Sequence, residues 1–106
     1  MDDKEFQTQA DEAIDDLYQR LVRAVEVHDF EVDFNSGALA VEFEDPPSKF
    51  IVSPNSPVKQ IWVSAHSKSF KFDWDTAQSA FVLNGQTLTE MMSGAVSQQL
   101  GTSITL

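Results

Sequence analysis

The stretch Pro57-Val58-Lys59-Gln60-Ile61-Trp62-Val63-Ser64 decides how the chain is read. Its apolar and polar residues alternate with the period of two that defines a half-buried β-strand. Ile61, Val63 and Ala65 share the core side, which leaves Gln60, Trp62 and Ser64 on the other. A tryptophan among polar neighbours either lies under a second layer or a loop, or it anchors a partner, since rigid aromatics in polar surroundings concentrate where proteins grip one another.

Working outward from that strand, the flanking segments repeat its alternation. Phe30, Val32 and Phe34 point one way with Glu31 and Asp33 the other, then Asn35-Ser36-Gly37 makes a tight reversal and Leu39, Val41 and Phe43 face the core. From Lys49 to Ser53 the chain is strand-like, but three consecutive apolar residues, Phe50-Ile51-Val52, leave its facing open. Ser53-Pro54-Asn55-Ser56-Pro57 reads as a loop, because its prolines carry no N–H for a ladder. Phe70, Phe72 and Trp74 alternate with Lys71 and Asp73, Ala80 to Leu83 form a further strand, and Asn84-Gly85 is a turn.

Helices close both ends. Over residues 3–27, Phe6, Ala10, Ala13, Ile14, Leu17, Leu21 and Ala24 recur at spacings of three and four, with Asp2 or Asp3 placed to cap the start. Thr87-Leu88-Thr89-Glu90 has the spacing of a capping box, the apolar stripe Leu88, Met91, Met92, Ala95, Val96 and Leu100 follows it, and Gly101 is the natural stop. The order predicts an α+β two-layer sandwich: two helices packed on one face of a five- to six-stranded antiparallel sheet, in a single domain spanning 1–106. The opposite sheet face then meets water, carrying Gln60, Trp62, Ser64, Lys71 and Asp73 near Asn55.

Charge is distributed as unevenly as hydropathy. Fourteen of the seventeen acidic residues lie in the first 45 positions against Lys4, Arg20 and Arg23, a net -11, while the remainder is net +1. Such a field suits metal cations or a basic protein surface and repels nucleic acid phosphates and anionic lipid. No apolar run is long enough to span a bilayer, and Met1-Asp2-Asp3-Lys4-Glu5 is acidic where a signal peptide is basic or apolar, so a cytoplasmic location is expected. With no cysteine there is no disulfide or thiolate, and no nucleophile motif, phosphate loop or zinc signature occurs. His28 at a helix end and His66 in a Ser/Lys loop lack metal-ligand partners at short spacing, so no enzymatic activity is expected.

The carboxylates of the first helix invite a functional reading. Asp11/Asp15 and Glu12/Asp16 are like charges at i,i+4, each costing the helix roughly 0.2–0.5 kcal/mol. The helix dipole accounts for Asp2, Asp3 and Glu5 but fades before Asp15 and Asp16. Hard cations would offset the repulsion in shallow, exchangeable sites; a solvated face conferring solubility is the alternative. Glu26, Asp29, Glu31 and Asp33 extend the negative surface around the helix end and along the first strand.

With these residues assembled, the chain resembles the frataxin family, in its bacterial branch. The resemblance spans nearly the whole sequence and is carried by Glu5-Phe6 and Ala10-Asp11, Ser36-Gly37-Ala38-Leu39, Pro57 with Gln60-Ile61-Trp62, Phe72-Asp73-Trp74, and Asn84-Gly85. It implies two helices on an antiparallel sheet, weak binding of ferrous or ferric iron on an acidic ridge, and an open sheet face that meets the cysteine desulfurase and the iron-sulfur scaffold protein. Gln60 and Trp62 match the family's sheet-face contacts, and Asp29, Glu31 and Asp33 match acidic positions of its ridge. Where the bacterial pattern clusters acids in the second half of the first helix, this chain has Tyr18-Gln19-Arg20-Leu21-Val22-Arg23. Negative charge has moved toward the helix start, which makes Asp11, Glu12, Asp15 and Asp16 alternative ligands. The implied function is monomeric, iron-binding regulation of cluster assembly. Ferrous iron oxidation with storage on the carboxylates, and a metal-independent acidic interaction protein, are the competing readings.

Overall fold

Helix α1, Asp3–Val25, buries Phe6, Ala10, Ile14, Leu17 and Leu21 to within 1 % of complete exclusion from solvent. A computed structural model describes residues 1–106 and places this stripe, spaced four, four, three and four, along one face of a sheet. Asp2 caps the helix, its carboxylate accepting from the Glu5 N–H at 2.7 Å. The helix ends two residues earlier than its sequence predicts. The apolar stripe stops at Ala24, and Val27 beyond it is 78 % exposed, so nothing repays continuing the turn.

Seven strands follow in an unbroken antiparallel meander, β1 to β7 in spatial as in sequence order: Glu31–Asn35, Ala38–Glu44, Pro47–Asn55, Gln60–Ala65, Lys68–Asp75, Ala80–Leu83 and Gln86–Thr87. The count exceeds the expected five to six because Asn84-Gly85 returns the chain for a two-residue strand before the second helix. Both turn residues have positive φ, 52° and 78°, the combination of a type I′ hairpin. Ser36-Gly37 and His66-Ser67 make two-residue reversals of the same hand.

The expected 53–57 loop is mostly strand and 3-10 turn. Ser53, Pro54 and Asn55 belong to β3 and pair with Trp62, Ile61 and Gln60, and Ser56–Val58 form a single 3-10 turn. Proline is tolerated there because pairing of β2 with β3 ends at Leu39 and Val52, so Pro54 has a ladder partner on one side only. The facing of β3 is also settled: Phe50 and Val52 are buried, and Ile51 looks out of the opposite face.

Helix α2, Leu88–Leu100, lies on the same face as α1 and contributes Leu88, Met91, Met92, Ala95 and Val96 to one core of 21 residues that contains no polar or charged side chain. The fold is therefore an α+β two-layer sandwich with one sheet face covered and the other open. Two aromatic chains tie the core together. Phe30, Phe43, Phe50 and His66 follow one another at 5.3, 5.0 and 4.9 Å between ring centroids, and Phe6 meets Phe81, which meets Trp74, at 5.9 and 5.1 Å. The segment after α2 is held through serine hydroxyls: Ser97 accepts from the Ile104 N–H and donates to its carbonyl, and Ser93 accepts from the Leu106 N–H. Neither helix is long and apolar enough to cross a membrane.

The capping box of α2 gives a test. Thr87 Oγ1 accepts from the Glu90 N–H at 3.2 Å while the Glu90 carboxylate accepts from the Thr87 N–H at 3.0 Å. Bonding to the Thr87 backbone, and then to its side chain, holds the Glu90 carboxyl below its ordinary value. A folded-state value depressed below the unfolded one adds stability that is complete above the ordinary carboxylate range and is lost as pH falls through the depressed value. Thr87→Ala should cost about 1 kcal/mol in denaturant melts at neutral pH. Glu90→Gln should flatten the acid limb of the stability curve, and an unchanged limb would show that the box contributes nothing.

Candidate functional site

The register of the sheet composes the open face row by row. Asn55, Gln60 and Asp73 are successive neighbours on β3, β4 and β5, then Ser53, Trp62 and Lys71, then Ile51, Ser64 and Ser69. Each follows from parity, because Ile61, Val63, Ala65, Phe72, Phe50 and Val52 occupy the buried alternate positions. Every sheet-face residue singled out from sequence, Asn55, Gln60, Trp62, Ser64, Lys71 and Asp73, therefore falls on one surface. Trp62 is 37 % exposed and has no layer over it.

Its indole is nonetheless held in place. Nε1–H donates to Gln60 Oε1 at 2.9 Å, and Gln60 Nε2 donates to Asp73 Oδ1 at 3.0 Å. Asp73 can only accept and the indole can only donate, so the Gln60 amide has one orientation that satisfies both. Lys71 Nζ stands 4.9 Å from the centre of the Trp62 ring, a cation–π contact. Beside the ring is a hydroxyl-rich depression of about 360 Å³ lined by Ser53, Ser64 and Ser69 with Ile51 at its floor. Ser53, Ile51 and Ser69 were not among the expected site residues. The apolar run Phe50-Ile51-Val52 carries no parity that would give Ile51 a face, and Ser53 lies where a strand-like segment meets one that reads as a loop.

The rows continue to the acidic edge. Ile51 neighbours Ala40, which neighbours Asp33, while Lys49 neighbours Glu42, which neighbours Glu31. Glu31 and Asp33 therefore share a face with Trp62; at strand spacings of ~4.8 Å, Asp33 on β1 lies about 14 Å from Ser64 on β4. The carboxylates of α1 are elsewhere, because α1 covers the opposite sheet face. The ridge read from sequence is thus two acidic surfaces on different layers, with exposed Asp29 at the corner between them.

Within these surfaces the carboxylates are not equivalent. Asp16 is paired with Arg20 at 2.8 Å and Asp11 accepts from Gln7 at 2.7 Å. Both of these carboxylates therefore already have a partner within the helix. Glu12, Asp15, Asp29, Glu31 and Asp33 are exposed and make no ion pair. No three His, Cys, Asp or Glu side chains converge on a point that a metal ion could occupy. Any cation held here would keep most of its water and exchange readily. His66 Nε2 lies 3.2 Å from Gln99 Oε1 and its ring packs on Phe50.

Comparison with known proteins agrees with this architecture. Residues 1–102 match the model of the frataxin-like domain. The iron-sulfur cluster assembly protein CyaY of Dechloromonas aromatica is 38 % identical over 109 residues, covering 100 % of this chain and 99 % of that protein. Its counterpart in Azotobacter vinelandii is 35 % identical over 94 residues, covering 85 % of this chain and 84 % of that one. The solved structure of the frataxin from Psychromonas ingrahamii superposes with a TM-score of 0.75 at 24 % identity, covering 99 % of this chain and 97 % of that one, which is a likeness of fold. An end-to-end match in sequence and the same two-layer architecture lead to one conclusion: the chain belongs to the frataxin family, in its bacterial CyaY branch.

Proposed function

We propose that this protein acts in iron-sulfur cluster assembly as a non-enzymatic, iron-binding regulator, docking through its open sheet face onto the complex of cysteine desulfurase and scaffold. The observation that carries the reading is Trp62: exposed, fixed by Gln60, Asp73 and Lys71, and set on a face that nothing in the chain covers. Fixing an aromatic before binding lowers the entropy lost on docking, which is how an interface anchor is prepared. Full-length relatives named iron-sulfur cluster assembly proteins support the pathway. Family resemblance supports the two partners, and the net -11 of the first 45 residues supports both the affinity for cations and attraction to a basic partner surface. A monomer in the cytoplasm is the form in which we expect it to act.

Trp62→Ala should weaken binding to a purified desulfurase–scaffold complex by about 2 kcal/mol or more, measured by titration calorimetry. Its melting midpoint should fall far less than that of Phe72→Ala, which empties a fully buried site at a cost of roughly 3–5 kcal/mol. Equal destabilisation by the two, with partner binding retained in Trp62→Ala, would place Trp62 in the core's service and remove the docking face.

Iron is tested separately. Ferrous or ferric iron should shift the NMR signals around Glu12, Asp15, Asp29, Glu31 and Asp33 while Gln60 and Trp62 stay unmoved. Salt should stabilise the fold by screening self-repulsion, and a divalent cation should exceed sodium chloride at equal ionic strength. If the two salts raise the melting midpoint equally, the carboxylates are a solvated surface and the iron reading fails.

A further inference from the structure

Strand β1 is one of the two edges of the sheet; its outer side pairs with no strand, and four of its five residues are exposed. Along it runs a groove of about 470 Å³ with an apolar floor of Val22, Val25, Phe30 and Val32 and an acidic rim of Glu31, Asp33 and Glu42. The two chemistries belong to the two parities of one strand. Val32 faces the helix side with Phe34, which is 41 % exposed against Tyr18, whereas Glu31 and Asp33 face the open side.

The rim is electrostatically incomplete. Glu31 sits directly opposite Glu42 on β2, a like-charge pair of the kind that destabilises a ladder. Lys49 reaches Glu42 at 3.5 Å, and no cation reaches Glu31 or Asp33. The position that could supply one is the vacant flank of β1.

We propose that β1 accepts an added strand: an extended segment of another protein in which lysine or arginine alternates with aliphatic residues. Its aliphatic side chains enter the groove beside Val22, Val25 and Val32, its basic ones lie beside Glu31 and Asp33, and main-chain bonds form along the edge. Pairing with a second copy of this chain is opposed by its own charge. Antiparallel pairing of β1 with itself, centred on Val32, sets Glu31 against Asp33; centred on Asp33, it sets that carboxylate against its twin. The same acids that oppose self-association therefore select a basic strand. This goes beyond the reading above and depends on neither iron nor Trp62.

The test uses the full chain and three synthetic heptapeptides: one alternating valine and lysine, one of identical composition with the alternation broken, and one with glutamate for lysine. The alternating peptide should perturb the backbone signals of residues 31–35 and slow their amide exchange, leaving Gln60 and Trp62 unaffected. The broken-parity peptide should bind roughly tenfold more weakly despite equal charge, and the glutamate peptide should not bind. Glu31 and Asp33 are exposed, so the double variant Glu31→Lys/Asp33→Lys should fold and exchange its preference, taking the glutamate peptide and refusing the lysine one. Trp62→Ala should bind the alternating peptide as the parent does, which separates this proposal from the docking of the open face. Equal binding of the two lysine peptides, or perturbation centred on α1 with β1 amides unprotected, would reduce the edge to a diffuse charged surface and overturn strand addition.

Discussion

The structure depends on one contact, the seam where Phe6, Ala10, Ile14, Leu17 and Leu21 of α1 meet a single face of the sheet. Because the helices lie on that face alone, burial rewards one parity of every strand and is indifferent to the other. A slip of one residue in any central strand would move its whole apolar set into water. Register, the exposure of Trp62 and the exposure of Glu31 and Asp33 all follow from this one-sided burial. The open face is what remains when a seven-stranded sheet is covered from one side only.

Where that constraint acts on residues of clear polarity, the primary structure is legible. Trp62 could be placed on the outer face because Ile61, Val63 and Ala65 leave no alternative, and the capping box at Thr87 and Glu90 identified the start of α2 to the residue. Legibility fails where polarity is uniform or a residue breaks a rule for local reasons. Phe50-Ile51-Val52 carries no parity until its neighbours are in place. Pro54 and Asn55 look like a loop and form a strand because one flank of β3 is vacant there. His66-Ser67 closes a hairpin with two non-glycine residues at positive φ, a conformation no composition rule would assign to them. The acidic ridge was visible as charge but not as geometry: sequence distance says nothing about which layer a carboxylate joins, and an ion pair such as Asp16–Arg20 needs the side chains themselves.

Charge in this molecule does opposing work. Repulsion within the first 45 residues opposes the compact state, and on the exposed edge strand it equally opposes pairing with copies of itself. Neutralising these acids would relieve the first effect and forfeit the second. That balance explains why the surplus is tolerated on a core with no buried polar group, whose packing alone must carry the load. It also explains why the few cations are placed locally, with Arg20 on Asp16, Lys49 on Glu42 and Lys59 on Asp3, and leave the β1 carboxylates unanswered.

The two tryptophans differ in surroundings, and the difference has an optical consequence. Trp74 is half-buried with its ring 5.1 Å from the core residue Phe81, whereas Trp62 is 37 % exposed on the open face beside Lys71. An indole in water emits further to the red than one enclosed by hydrocarbon, so the native spectrum is a superposition of two environments. Selective quenching by a dissolved ion would reach Trp62 first. The chain thus carries, without any label, one emitter that reports on its outer face and another that reports on its interior.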